Sequence, residues 1–180
     1  MEESEINRLI ELCKAGEQQA FAPIISEYQQ MVFSIAFRLL CDEDEAKDSV
    51  QDTFVKIWLN LEKYDPSKSF RTWIYTVAIN CCYDKIKIQK PKRIDEDVAK
   101  NIASPDNVEQ KIQNKDLATI IVSLVGKLTP KQKIVFTLRY LEQLEMNEIE
   151  EITHLSREQI KNNLYLARMS IKRILEKWKI

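Results

Sequence analysis

"MNEIEEITHLSREQIKNNLYLAR" (Met146–Arg168) reads as an acidic helix, a break at "THLS" and a polar, basic helix. In the second helix Ile160, Leu164, Ala167, Ile171, Ile174 and Trp178 recur at intervals of three and four. That spacing gathers them on one core-facing stripe. Ser156, just ahead of the helix, is a natural N-cap. The opposite side near the helix start shows Glu158, Asn162 and Tyr165, flanked by Arg157 and Lys161.

Two helices meeting at such a break can form a helix-turn-helix. There the second helix presents its first residues to base edges while the first crosses the DNA backbone. Arg or Lys donates to guanine and Asn reads adenine. Arg168, Lys172 and Arg173 can meet phosphates, which position rather than specify. His154 falls where the turn needs positive φ, and His tolerates that region better than most residues. Glu150 stands where a small residue lets two helices approach, so its carboxylate must escape to water. Glu145 takes the cap position usually held by Ser or Thr. A plain helical hairpin with a solvated face satisfies the same spacing, so the pattern alone leaves both readings open.

The rest of the chain is helical by the same measure. It has 180 residues, 44% hydrophobic and 31% charged, with only two glycines, Gly16 and Gly126. So few glycines exclude a phosphate-cradling loop and argue against a turn-rich sheet. The expected fold class is all-α: two small helical domains joined by a flexible linker, the C-terminal one a helix-turn-helix.

Net charge is −1, yet the charge is sorted. Lys85, Lys87, Lys90, Lys92 and Arg93 form a basic run without an acid, and Arg157–Lys179 is also basic. Asp42–Asp52 and Glu142–Glu151 are acidic. Opposed blocks suit two kinds of partner surface, although any single block can be a solvated helix face. The four cysteines, Cys13, Cys41, Cys81 and Cys82, show no paired metal-ligand spacing, and His154 is the only histidine. They read as reduced thiols in or near the core of a cytoplasmic protein. No apolar run approaches the ~20 residues of a membrane span, and the acidic start lacks a signal-peptide pattern.

Residues 6–13 form a short amphipathic helix ending near Gly16. Phe21, Ile24, Ile25, Tyr28, Val32, Ile35, Ala36 and Leu39 mark a long one. Asp42 and Glu45 have capping-box spacing. The helix they open buries Ala46, Val50, Phe54, Ile57 and Leu61 and shows Asp48, Gln51, Asp52 and Lys56 on its other face. After the loop at 63–69, Ser69 can cap a helix with Ile74, Val77, Ala78 and Cys81 inward. Periodicity fades between Gln89 and Ser104. That segment, about 16 residues at ~3.3 Å each, can reach past one duplex turn of ~34 Å. Ser104-Pro105 and Thr129-Pro130 each open a further helix. The first carries Val108, Ile112, Ala118, Ile121 and Leu124 and ends at Gly126; the second carries Ile134, Val135, Leu138 and Leu141.

Taken together, the chain resembles a bacterial sigma factor of the extracytoplasmic-function group. "EAKDSVQDTFVKIW" (45–58) looks like that family's core-polymerase-binding helix, with Asp48, Gln51, Asp52 and Phe54 at matching places and Lys56 beside them. "FRTWIYTVAINCCYD" (70–84) looks like its −10-reading and melting segment, which implies DNA contacts at Trp73, Asn80, Tyr83, Asp84 and Lys87. "LTPKQKIVFTLRYLEQLEMNEIEEITHLSREQIKNNLYLARMSIKRIL" (128–175) is similar to its −35-reading domain, with contacts implied at Arg157, Glu158, Lys161, Asn162, Tyr165 and Arg168. The implied domains are 1–90 and 105–180, with a linker at 91–104 threading the polymerase, where Asp95, Glu96 and Asp97 suit mimicry of RNA charge. The implied partners are core RNA polymerase, promoter DNA and an anti-sigma factor, with no membrane insertion. No catalytic constellation, metal cluster or cofactor motif is present in the sequence, so the chain reads as a non-enzyme. A free-standing helix-turn-helix regulator with a dimerising or sensing N-terminal domain is the competing reading, and a non-DNA scaffold is the third.

Overall fold

A computed structural model describes residues 1–88 and 117–177. The linker at 91–104, Lys90, Lys92, Arg93, Asp95–Asp97, the helix start at Ser104-Pro105 with Val108 and Ile112, and Trp178 lie outside the described residues. So does the side chain of Ala118. Among the described residues the chain is helical, as expected, with four helices in each half: α1 (Glu3–Lys14), α2 (Phe21–Leu40), α3 (Glu43–Leu59), α4 (Phe70–Ile88), α5 (Leu117–Gly126), α6 (Pro130–Phe136), α7 (Met146–Thr153) and α8 (Arg157–Lys177).

In the first half, α2 is the central element. Ile24, Val32, Ile35, Ala36 and Leu39 are fully buried on it, and α3 and α4 pack against that stripe. Burying one such aliphatic side chain contributes about 1.5–3 kcal/mol, which outweighs the weak helix propensity of the β-branched ones. The helix stops because Cys41 adopts a left-handed conformation (φ 58°) and returns its N–H to the Phe37 carbonyl at 2.8 Å. Asp42 follows at once as the cap of α3, its Oδ1 accepting from the N–H groups of Asp44 and Glu45, each at 3.1 Å. Glu45 completes no return bond there; its carboxylate lies 3.5 Å from Lys85 instead.

The start of α4 differs from the sequence expectation. The Ser69 hydroxyl donates to Glu3 Oε1 at 3.0 Å, and the N–H of Phe70 donates to Glu3 Oε2 at 3.4 Å. A carboxylate from α1 thus occupies the place of the local cap. An anion beside the free N–H groups of a helix start is favourable in either case.

In the second half α6 runs into a π-helical turn, Thr137–Leu141. Because of that turn, the Glu142 N–H reaches back five residues to the Thr137 carbonyl, at 2.9 Å. The extra residue changes where Glu142 points. Leu141, expected in the buried stripe, is half-exposed. Ile149 and Ile152 of α7 and Ile160, Leu164 and Ala167 of α8 close the core of this half. Cys13, Cys81 and Cys82 are buried and Cys41 is half-buried, and none of the four is in a disulfide.

The two halves are not separate in this structure. α4 packs on α6 and α7, α2 packs on α5, and the two cores join into one apolar cluster.

Candidate nucleic-acid and protein interfaces

Three surfaces collect the chemistry-bearing side chains. The first is the outer face of α3. Asp48, Gln51, Asp52 and Lys56 are exposed there, as the spacing predicts. Phe54 is not on that face. It is 6% exposed and stands edge-on to Phe21, with ring centroids 6.3 Å apart. Phe54 shares the inward side with Val50 and Ile57 and packs on Phe21 of α2, so it holds the helix down rather than facing a partner. The exposed stripe has an apolar end that the spacing argument missed. Val55 is 57% exposed and Leu59 72%. Asp48, Asp52, Val55 and Leu59 recur at four, three and four, a signal legible in the sequence once the inward face is fixed.

The second surface is α4 with the loop before it. The loop is well determined locally. The Tyr64 hydroxyl donates to the Lys68 carbonyl at 2.8 Å, and Ser67 donates to Asp65 Oδ1 from its N–H at 3.0 Å and its hydroxyl at 2.7 Å. Those bonds favour the charged Asp65 carboxylate and lower its pKa. Trp73 is half-buried, tilted on Tyr64 at 5.2 Å and edge-on to Phe70 at 5.6 Å. Tyr75 is a core aromatic, 1% exposed. Asn80, Asp84 and Lys87 are exposed, and Tyr83 is half-exposed, with the Lys87 ammonium 4.3 Å from its ring centre. Residues 80, 83, 84 and 87 share one helix face. The structure therefore brings Asn80, Tyr83, Asp84 and Lys87 together, while Trp73 sits two turns away against the loop. Asn80 and Tyr83 also line a crevice of about 140 Å³ whose other wall includes Lys131, Ile152, Thr153 and Leu155 from the second half.

The third surface is α8. Arg157, Glu158, Lys161, Asn162, Tyr165 and Arg168 are all exposed, opposite buried Ile160, Leu164 and Ala167. The turn before α8 is built as its residues require. His154 adopts φ 55° and ψ 23°, and its N–H reaches the Glu150 carbonyl at 2.9 Å. Ser156 and Gln159 cap each other: the Gln159 N–H donates to Ser156 Oγ at 3.3 Å, and the Ser156 N–H to Gln159 Oε1 at 3.0 Å. Glu150 is half-buried, with its carboxylate 3.6 Å from Arg157 Nε, so the head escapes toward a cation. At the start of α7 the Glu145 N–H donates to Glu148 Oε2 at 2.7 Å. A short helix pair with a polar outer face and a fixed turn can lie in a DNA groove.

Among the described residues no three His, Cys, Asp or Glu side chains stand together as a metal would need. No described helix is long and apolar enough to cross a membrane.

Comparison with known proteins gives both halves a counterpart. Residues 24–91 match the family model for Sigma-70 region 2, and residues 118–171 match that for Sigma-70, region 4. The ECF RNA polymerase sigma factor SigW of Bacillus subtilis is 28% identical, over 94% of this chain and 96% of its own length. The ECF RNA polymerase sigma-E factor of Haemophilus influenzae is 26% identical, over 91% of each. In fold, the chain is similar to CnrH, solved with the cytosolic domain of CnrY, at 22% identity and a TM-score of 0.68 over 97% of this chain and 98% of that one. It is also similar to RpoE of Bartonella quintana, solved with the anti-sigma factor NepR, at 16% identity and a TM-score of 0.63 over 87% of this chain and 96% of that one.

Proposed function

The chain belongs to the sigma-70 family of RNA polymerase sigma factors, in its extracytoplasmic-function group, and we propose how its surfaces divide the work. A sigma factor binds core RNA polymerase and directs it to promoters. The free-standing regulator is not favoured, since such a protein has no need of a region-2 module.

In the proposed division, residues 1–90 and 105–180 are the two working domains and 91–104 is the strap between them. Asp48, Gln51, Asp52 and Lys56, extended by Val55 and Leu59, dock on the polymerase. Phe54 supports that helix from below. Trp73 and the 64–69 loop hold an unstacked base of the −10 element, while Asn80, Tyr83, Asp84 and Lys87 guide the strand. Protein contacts can offset the few kcal/mol that unstacking costs. Arg157, Glu158, Lys161, Asn162 and Tyr165 read the −35 element, with Arg168 on phosphate. The bond-making chemistry belongs to the polymerase, so this chain is a specificity subunit and not an enzyme. It works beside the polymerase in the cytoplasm. An anti-sigma protein is the proposed regulator, as NepR is the partner in the RpoE complex.

The observation that carries this reading is the pairing, in one chain, of an exposed acidic helix face on α3 with a capped helix-turn-helix at α7–α8. The test is transcription by core polymerase with and without the protein, followed by sequencing of transcript 5′ ends. A new, shared set of upstream elements is expected. An unchanged set of start sites would falsify the reading.

A further inference from the structure

The stretch matched to region 2 begins at residue 24, so α1 lies ahead of it. None of the surfaces assigned above includes α1, yet α1 reaches one of them. Glu3, in its first turn, accepts from the Ser69 hydroxyl at 3.0 Å through Oε1 and from the Phe70 N–H at 3.4 Å through Oε2. The carbonyl of the same Ser69 accepts from the Trp73 N–H at 3.2 Å. Ser69 thus joins Glu3, through its side chain, to Trp73, through its backbone. Phe70 is fully buried and carries the link into a cluster of rings. Its ring centre lies 5.4 Å from Tyr28, 5.3 Å from Tyr64 and 5.6 Å from Trp73.

The other hydrogen bonds of the loop are local. Those from Tyr64 to Lys68, from Ser67 to Asp65 and from the Lys68 N–H to Asp65 span four residues or fewer. Among the described residues, the bonds to Glu3 are the only ones that tie residues 64–70 to a distant part of the chain, 66 and 67 positions away. Glu3 is itself well seated, because Ile6, Leu9, Ile10 and Cys13 of the same helix are buried. Residues 65–69, in contrast, are exposed between buried Tyr64 and buried Phe70. A loop so placed can sample many conformations, and those that do not fit a base reduce apparent affinity by the fraction they occupy. Fixing it before DNA arrives removes that loss. An exposed carboxylate adds little to global stability, so its effect is local.

We infer that Glu3 is a positioning residue for −10 recognition: from α1 it fixes the 64–69 loop and the first turn of α4, and through Ser69 it sets where Trp73 stands against an unstacked base. The inference rests on the base-holding role proposed above for Trp73 and the loop.

The test is transcription by the reconstituted holoenzyme from a promoter found by the transcript sequencing above, randomised over its −10 element and, separately, its −35 element. Glu3→Ala should weaken base preference at one −10 position by about two- to tenfold, the worth of an ordinary hydrogen bond. Preference at −35 and capture of core polymerase should stay as in the wild type. Glu3→Gln keeps one acceptor oxygen and should fall between; it also serves where Glu3→Ala unfolds the chain. Ser69→Ala should weaken the same position. Combined with Glu3→Ala, its effect should be less than additive, because both cut one path. A lower melting temperature with an unchanged −10 profile would reduce Glu3 to a structural cap and overturn the inference. So would additive losses, or a gain in transcription spread evenly over all −10 sequences, which marks a carboxylate that merely repels phosphate. Trp73→Leu, which keeps apolar volume but removes the ring, separates the two readings. A −10 profile altered by Trp73→Leu but not by Glu3→Ala sinks the role of Glu3 alone. A flat wild-type profile, or one that Trp73→Leu leaves unchanged, removes the base-holding reading and this inference with it.

Discussion

The ammonium of Lys85 stands 3.4 Å from the carboxylate of Asp52, tying the basic end of α4 to the acidic face of α3. The same ammonium is 3.5 Å from Glu45. The two oppositely charged blocks of the sequence are thus neighbours, and part of the acidic face is already neutralised from within. Asp52 is still 53% exposed, so the pair contributes little to stability, ~0–1 kcal/mol.

Asp48→Ala with Asp52→Ala is expected to lower affinity for core polymerase while leaving the melting temperature nearly unchanged. Both side chains are exposed, and substitutions there are usually within about 0.5 kcal/mol. Capture of core polymerase by the double variant at wild-type strength would remove α3 as the docking element.

Phe54 and its neighbour Val55 should separate cleanly. Phe54→Ala empties a packed aromatic site and is expected to cost about 3–5 kcal/mol in chemical denaturation. Val55→Ala should cost almost nothing in stability and instead weaken polymerase binding, because Val55 is 57% exposed. Equal stability losses in the two would mean that the inward and outward faces of α3 are misassigned.

Lys161→Ala and Asn162→Ala are expected to relax −35 preference more than they reduce polymerase binding. A lost base contact amounts to about 1–3 kcal/mol of discrimination. Transcription from a library of −35 variants measures this directly. Unchanged preference in both variants would show that another side of α8 meets DNA.

His154→Gly should stabilise the helix-turn-helix by about 0.5–1 kcal/mol, since a left-handed residue without a Cβ carries no steric cost. His154→Val should destabilise it, because a β-branched residue at φ 55° is strained. Thermal denaturation of the three proteins, compared in one buffer, tests the order Gly, His, Val.

Alkaline pH should unfold the chain through its buried phenols and one thiol. Burial raises Tyr28, Tyr64 and Tyr75 from the ordinary 10.0 to about 12, and Cys82 from 9.0 to about 12. Each group stays protonated longer in the folded chain than in the unfolded one. Their contribution is therefore complete below pH 9 and is lost progressively from there to about pH 12. Urea denaturation at steps between pH 7 and 11 should show a plateau and then a decline. A midpoint that stays constant to pH 11 would contradict the burial of these groups.

Much of the site is legible in the amino-acid sequence. The exposed face of α8 follows from periodicity, because Ile160, Leu164 and Ala167 must point inward and so fix Arg157, Lys161, Asn162 and Tyr165 outward. The positive φ at His154 follows from turn chemistry. Spacing also sorts α3, with Phe54 inward and Asp48, Gln51, Asp52 and Lys56 outward; what it left out was the exposed apolar end of that face, Val55 and Leu59. Three residues on a helix turn about 300°, so a core residue and a surface residue can sit almost side by side. Glu3 as the anion at the start of α4 was also out of reach, since the sequence offers Ser69 locally and only the placement of α1 brings a carboxylate there.

The sequence by itself determined the helices, their inward faces, and the two modules, because those depend on spacing within one element and on residues a few positions apart. The tertiary structure alone decided that Glu142 meets Arg38 and Tyr75, and that Lys133 meets the end of α2. Those contacts join residues 67 to 104 positions apart. No local pattern encodes them; they follow from how one packed half presents its buried charges to the other.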